Sequence, residues 1–109
     1  MLNKIIIQGR LTRDPELRYT TSQKPVVNFS VACERDRAVD EEKPTDFLEC
    51  VAWNSTAEFI SKYFRKGQMI ILTGRLQMRT YEDHEGKKRT AYEVNCADIY
   101  FGEPKRSDY

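Results

Sequence analysis

A single histidine, His84, leaves this chain of 109 residues with little means of moving protons at neutral pH. It stands in the polar stretch DHEG, which reads as a hairpin tip, so no Ser-His-Asp or Cys-His arrangement can be built on it. The three cysteines, Cys33, Cys50 and Cys96, lack metal-ligand spacing, and each falls in an apolar, strand-like segment. Buried thiols in a reducing compartment are expected, not a disulfide or a zinc site. The glycines are scattered, which excludes a glycine-rich phosphate loop and makes Gly67 and Gly74 caps or bulges. Asp40, Glu41, Glu42 and Asp46 could in principle hold magnesium for a nuclease, but no second rigid carboxylate cluster converges on them, so they are read as a solvated loop. No apolar run approaches the length of a membrane span or a signal-peptide core. The expectation is a soluble, cytoplasmic, non-enzymatic protein without cofactor or metal.

Net charge is also nearly absent: 18 basic residues face 17 acidic ones, for a formal charge of +1. Its distribution says more. Residues 1–37 carry +3, residues 38–58 carry −5 and residues 59–109 carry +3, with the acids of the middle concentrated in VDEEKPTD. Basic strands flanking an acidic loop can still form a positive groove.

What the chain does have is alternation. LNKIIIQGRL reads as a first strand with a bend or bulge at Gly9, ending at TRDPE, where Pro15 cannot donate to a ladder. Val26 to Glu34 is a second strand, and TDFLECVAW a third. The period then changes: Ser55 and Glu58 have capping-box spacing, and Phe59, Ile60, Tyr63 and Phe64 recur as on a helix until Lys66–Gly67 supplies a stop. QMIILTGRLQMRTYED and KKRTAYEVNCADIYF follow as two strands joined at DHEG. At this length one domain is expected, over residues 1–104, with 105–109 a C-terminal stub. Five strands with one helix between the third and fourth point to an all-β protein, a five-stranded OB-fold Greek-key barrel. An SH3-like barrel or a plain α+β sheet would compete.

Side chains alternate along a strand, so in TDFLECVAW the residues Phe47, Glu49, Val51 and Trp53 point one way and the compact set Leu48, Cys50 and Ala52 the other. The compact set is the core face, which leaves two large rings toward solvent and in want of a partner. In the fourth strand Arg75, Gln77, Arg79 and Tyr81 lie opposite Leu72, Leu76 and Met78. Flat rings on which unpaired bases stack, combined with cations that follow phosphates, are what binding of single-stranded nucleic acid requires.

LNKIIIQGRLTRDPELRY, with Gly-Arg-Leu-x-x-Asp-Pro-Glu-x-Arg-Tyr, closely resembles the opening of bacterial single-stranded DNA-binding proteins. TDFLECVAWNSTAEFISKYFRKGQMIILTGRLQMRTYEDHEGKKRTAYEV resembles the rest of that domain, so the likeness covers about residues 2–103. It implies an OB-fold that assembles into a homotetramer and wraps single-stranded DNA in replication, recombination and repair, near the nucleoid. By local match it places stacking rings on Phe47, Trp53 and Tyr81, a further stacking position on Arg37, and phosphate contacts on Lys4, Arg10, Arg18, Lys66 and Arg79. Arg75 joins the phosphate set from its place on the fourth-strand face. Glu49 stands where many relatives carry a neutral or basic residue, and should weaken phosphate binding. Members of the family continue into a flexible tail that recruits other proteins, whereas this sequence stops at EPKRSDY. That ending fits a separated domain, or a short member of the kind used in natural transformation or phage replication, and tail-mediated partners are not assigned. The rival reading is an OB-type protein-interaction module of a replication or restart complex, in which the exposed rings meet protein.

Overall fold

The computed structural model describes residues 1–36 and 44–103. The elements are β1 (Ile5–Leu11), β2 (Glu16–Tyr19), β3 (Pro25–Glu34), β4 (Thr45–Trp53), α1 (Asn54–Tyr63), β5 (Met69–Glu82) and β6 (Lys88–Phe101). Sheet order is β1-β5-β6-β4-β3-β2, and a further β1–β3 pairing, Arg10 with Ala32 and Leu11 with Val31, closes the sheet on itself. The closed barrel contains five strands, β1, β5, β6, β4 and β3, all antiparallel except the short β4–β6 contact at Cys50–Val94 and Val51–Asn95. The expected OB-type barrel with its helix before the penultimate strand is therefore present, but the strand count is six.

The extra strand is β2. Its sequence, ELRY, is short and polar and carries no periodic signal of its own. It exists because β3 has an edge to spare: β1 pairs with the far end of that edge, and β2 covers the near end, from Glu16–Asn28 to Tyr19–Pro25. Covering an otherwise open edge satisfies backbone groups that local sequence says nothing about.

Two helix signals also need correction. Ser55 and Glu58 form no capping box: the helix starts at Asn54, the residue in the cap position is Trp53 in extended conformation, and no side chain caps the first turn. Strand β4 runs straight into α1, and Asn54 makes the change of direction at φ +57°, a conformation asparagine tolerates better than most residues. Ser55 is thereby already inside the helix. At the other end the helix stops at Tyr63, before Lys66–Gly67, because Phe64 turns into extended backbone to enter the core. Gly67 then takes φ +84°, and its N–H donates to the Leu11 carbonyl at 2.8 Å, tying the helix exit to the end of β1.

The interior is built from the inward residues of every barrel strand, among them Ile7, Leu11, Val27, Phe29, Val31, Cys50, Ala52, Ile70, Leu72 and Val94, with Ala57, Ile60 and Phe64 brought in from α1 and its exit. Gly9 makes no bulge. It pairs in register with Ile70, and it is glycine because a Cβ there would come within 2.5 Å of the Ala32 carbonyl oxygen, where β1 crosses onto β3. The irregularity lies at Thr73/Gly74, where the β5–β6 ladder skips Ala97.

All three cysteines are free, Cys50 and Cys96 buried and Cys33 half-buried. A hydrogen bond with Cys96, followed by burial, pushes the Cys50 thiol far above the usual range, and burial also raises Cys33. Thiolate is the reactive form, so an Ellman titration of the native protein should show at most one slowly reacting thiol, and three after denaturation. Rapid native reaction of two or more would contradict this packing.

Candidate nucleic-acid interface

Ladder partners share a face, so the register lets the outer surface be assembled row by row. Ala32 sits opposite Phe47 and also opposite Arg10, giving the row Arg10, Ala32, Phe47. Val26 sits opposite Trp53 and Arg18, giving a second row, Arg18, Val26, Trp53. Between them run Glu49 with Ser30, and the row Glu16, Asn28, Val51, Asn95, Arg75. The same face continues along the β5–β6 hairpin through Gln77–Glu93, Arg79–Ala91 and Tyr81–Arg89. Lys4 lies one residue before the first β1–β5 rung, Ile5–Gly74, at the register position of Arg75.

The parity expected for β4 is correct. Phe47 is 66% exposed and Trp53 39%, while Cys50 and Ala52 behind them are at 1% and 0%. Val51 shares the outer face yet is buried, flanked on its two ladders by Asn28 and Asn95. The expected sites therefore fall on one continuous surface for Phe47, Trp53, Tyr81, Arg10, Arg18, Arg75 and Arg79. Lys66 lies off the sheet, in the turn after α1, but close to the Arg10 end: its N–H donates to Asp14 Oδ1 at 2.7 Å, and Arg10 Nη1 donates to the neighbouring Gly67 carbonyl at 3.0 Å. Arg37, like Asp40, Glu41 and Glu42, lies outside the described residues. Among the described residues no three His, Cys, Asp or Glu side chains gather as a metal site, and no helix is long and apolar enough to cross a membrane.

The hairpin has two unlike faces. Opposite the Arg75–Tyr81 row stand Leu76, Met78 and Tyr92, all exposed because the hairpin extends past the barrel and leaves nothing beneath them. Its tip is organised by Asp83, whose carboxylate accepts from the N–H groups of Glu85 and Lys87 at 2.9 and 3.0 Å and from Arg89 Nε at 2.8 Å. Arg89 first, and then those N–H groups, hold the Asp83 carboxyl below its ordinary range. His84 rides exposed on this tip.

Two lines of comparison bear on this surface. The family model described as the single-strand binding protein family matches residues 2–102. A single-stranded DNA-binding protein of Fusobacterium nucleatum is 49% identical over 109 residues, covering 97% of this chain and 70% of the relative. The chain belongs to the single-strand binding protein family. Similar proteins from Halalkalibacterium halodurans, 41% identical, and Bacillus subtilis, single-stranded DNA-binding protein A, 40% identical, are longer still, and the chain spans 64% and 62% of their lengths.

In this family member several arginines of the interface are already engaged. Arg10 reaches Glu103 at 3.4 Å, Arg79 reaches Glu93 at 3.7 Å and Arg89 is held by Asp83. Arg35 forms a two-pronged pair with Asp46, at 3.1 and 3.0 Å, at the β3–β4 end beside Phe47, which holds the Asp46 carboxyl low. Arg18 donates to the Asn28 carboxamide oxygen. Lys4, Arg18 and Arg75 have no carboxylate partner among the described residues. Sequence reasoning did not single out Asn28, Arg89 or Glu93 as part of this face. Their signal was present in the alternation of β3 and β6, but it needed the register to connect them to Trp53, Tyr81 and Arg79.

Proposed function

We propose that the chain binds single-stranded DNA without sequence preference, by stacking bases on Phe47, Trp53 and Tyr81 while Lys4, Arg10, Arg18, Lys66, Arg75 and Arg79 meet phosphates, in replication, recombination and repair. The observation that carries this reading is the pair of exposed rings, Phe47 and Trp53, on the outer face of a strand whose other face is core. Rings so placed leave apolar surface open to solvent in the unbound protein, which costs solvation. A base stacked on each recovers that cost, and any base serves because each has a π-face. The relatives' names, single-stranded DNA-binding protein, agree with it. The role is binding, not turnover, in the cytoplasm, where the thiols stay reduced.

The reading includes self-association as a homotetramer. The exposed stripe of Leu76, Met78 and Tyr92 supports it, since an apolar surface of this kind is what a second copy would cover. Several short grooves joined in one particle also raise the effective concentration along a strand.

The experiment is a titration with oligo(dT) at low and moderate salt, following the only tryptophan, Trp53, on a sample whose mass is set by sedimentation. Strong quenching that weakens as salt rises is expected, on a tetramer. Absence of both quenching and gel shift would overturn the binding reading, and a monomer at all concentrations would overturn the assembly.

A further inference from the structure

The acid that lies deepest in the interface is Glu93, whose side chain is only 15% exposed while its partner Arg79 is 57% exposed. One Glu93 oxygen lies 3.7 Å from Arg79 Nε, and the same guanidinium sits 5.3 Å from the centre of the Tyr81 ring. Arg79 thus does two things at once: it answers Glu93 and it covers one face of Tyr81. The partners of the other paired arginines differ: Asp46, which holds Arg35, is 46% exposed. Glu103 is more exposed, so that pair is better screened by solvent, and Asp83 is committed to the hairpin turn.

Resting on the binding reading above, we propose that Glu93 is a built-in counterion for Arg79, which holds the guanidinium against Tyr81 in the unbound protein and is exchanged for a DNA phosphate on binding. Glu93 is then a positioning residue. Two consequences follow, one from geometry and one from charge balance. A base reaches Tyr81 on the ring face away from Arg79, forming a layer of base, tyrosine and guanidinium. The Arg79 contact also contributes almost nothing to the salt dependence, because the arginine and glutamate together are neutral, and neutralising a phosphate with Arg79 leaves Glu93 to recruit a cation in its place.

The test is the slope of log K for oligo(dT) against log salt. For single strands each net phosphate neutralised adds about 0.7 to the magnitude of that slope. Glu93→Gln should therefore steepen it by about 0.7, so that the variant's advantage in affinity over the parent shrinks about 2.6-fold between 50 and 200 mM salt. Glu82→Gln removes the same charge from the same hairpin, on the opposite face and without an arginine partner among the described residues, and should steepen the slope less. Arg79→Gln in the parent gives a reading that does not require the Glu93 variant to fold, and should lower the slope by well under about 0.7; in the Glu93→Gln background it should lower the slope by the full amount. Equal slopes for parent and Glu93→Gln, or the same loss from Arg79→Gln in both backgrounds, would overturn the counterion role while leaving DNA binding intact. Failure of the parent to bind oligo(dT) at all would overturn both.

Discussion

Replacing Phe47 and Trp53 together by alanine weakens oligo(dT) binding by about 30-fold to 20,000-fold, since each stacked base contributes about 1–3 kcal/mol and every 1.4 kcal/mol is tenfold. The fold should be retained, at a small cost in stability where Trp53, 39% exposed, packs against its neighbours. Both rings are on the solvent side of β4, and the residues that hold the strand in the barrel, Cys50 and Ala52, are untouched. The measurement is fluorescence anisotropy of a labelled oligonucleotide, because the double variant has lost its only tryptophan, with a melting curve alongside. Affinity that falls by this much while the melting temperature drops only slightly assigns the rings to bases. Affinity within about threefold of the parent, with a protein partner lost instead, would establish the rival reading of an interaction module. Tyr81→Ala belongs to the same series with a smaller loss, because Arg79 already covers one of that ring's faces.

The same chemical change on the opposite face has the opposite profile. Phe29 on β3 is fully buried across the ladder from Cys50, directly beneath the surface that carries Phe47. Phe29→Ala removes a ring from a filled core and leaves a cavity, which destabilises by about 3–5 kcal/mol. That is a large share of the roughly 5–15 kcal/mol that holds a domain of this kind folded. Urea unfolding followed by Trp53 emission should show the midpoint moving strongly to lower denaturant for Phe29→Ala and hardly at all for Phe47→Ala. If the two phenylalanines cost the same, the assignment of inner and outer faces is wrong. The barrel has little capacity to compensate, because α1 and its exit insert Ile60 and Phe64 into the same interior, and no side chain caps the first turn of the helix.

These two phenylalanines show what alternation alone can and cannot determine. The period of two in TDFLECVAW alone places Phe47 and Trp53 outward and Cys50 and Ala52 inward, and the structure agrees. The hairpin through DHEG and the helix between strands were equally legible, because turn residues and a switch from period two to helical spacing are local properties. Leu76 and Met78 lie on the parity of the buried Leu72, as alternation required, yet are exposed, since parity states which way a side chain points and not whether anything stands there.

By itself the sequence determined the class of fold, the single helix, the two faces of β4 and β5, and the family, all of which follow from local periodicity and from the order of motifs along the chain. Only the tertiary structure decided that β2 exists, that Asn54 and not Ser55 starts the helix, and that Arg10, Arg18, Arg79 and two rings separated by up to dozens of residues form one surface. It also decided that Glu93 answers Arg79. The reason is common to all of these: a strand's edge partners, and therefore its lateral neighbours, are chosen by closure of the barrel, a long-range condition that no stretch of ten residues encodes.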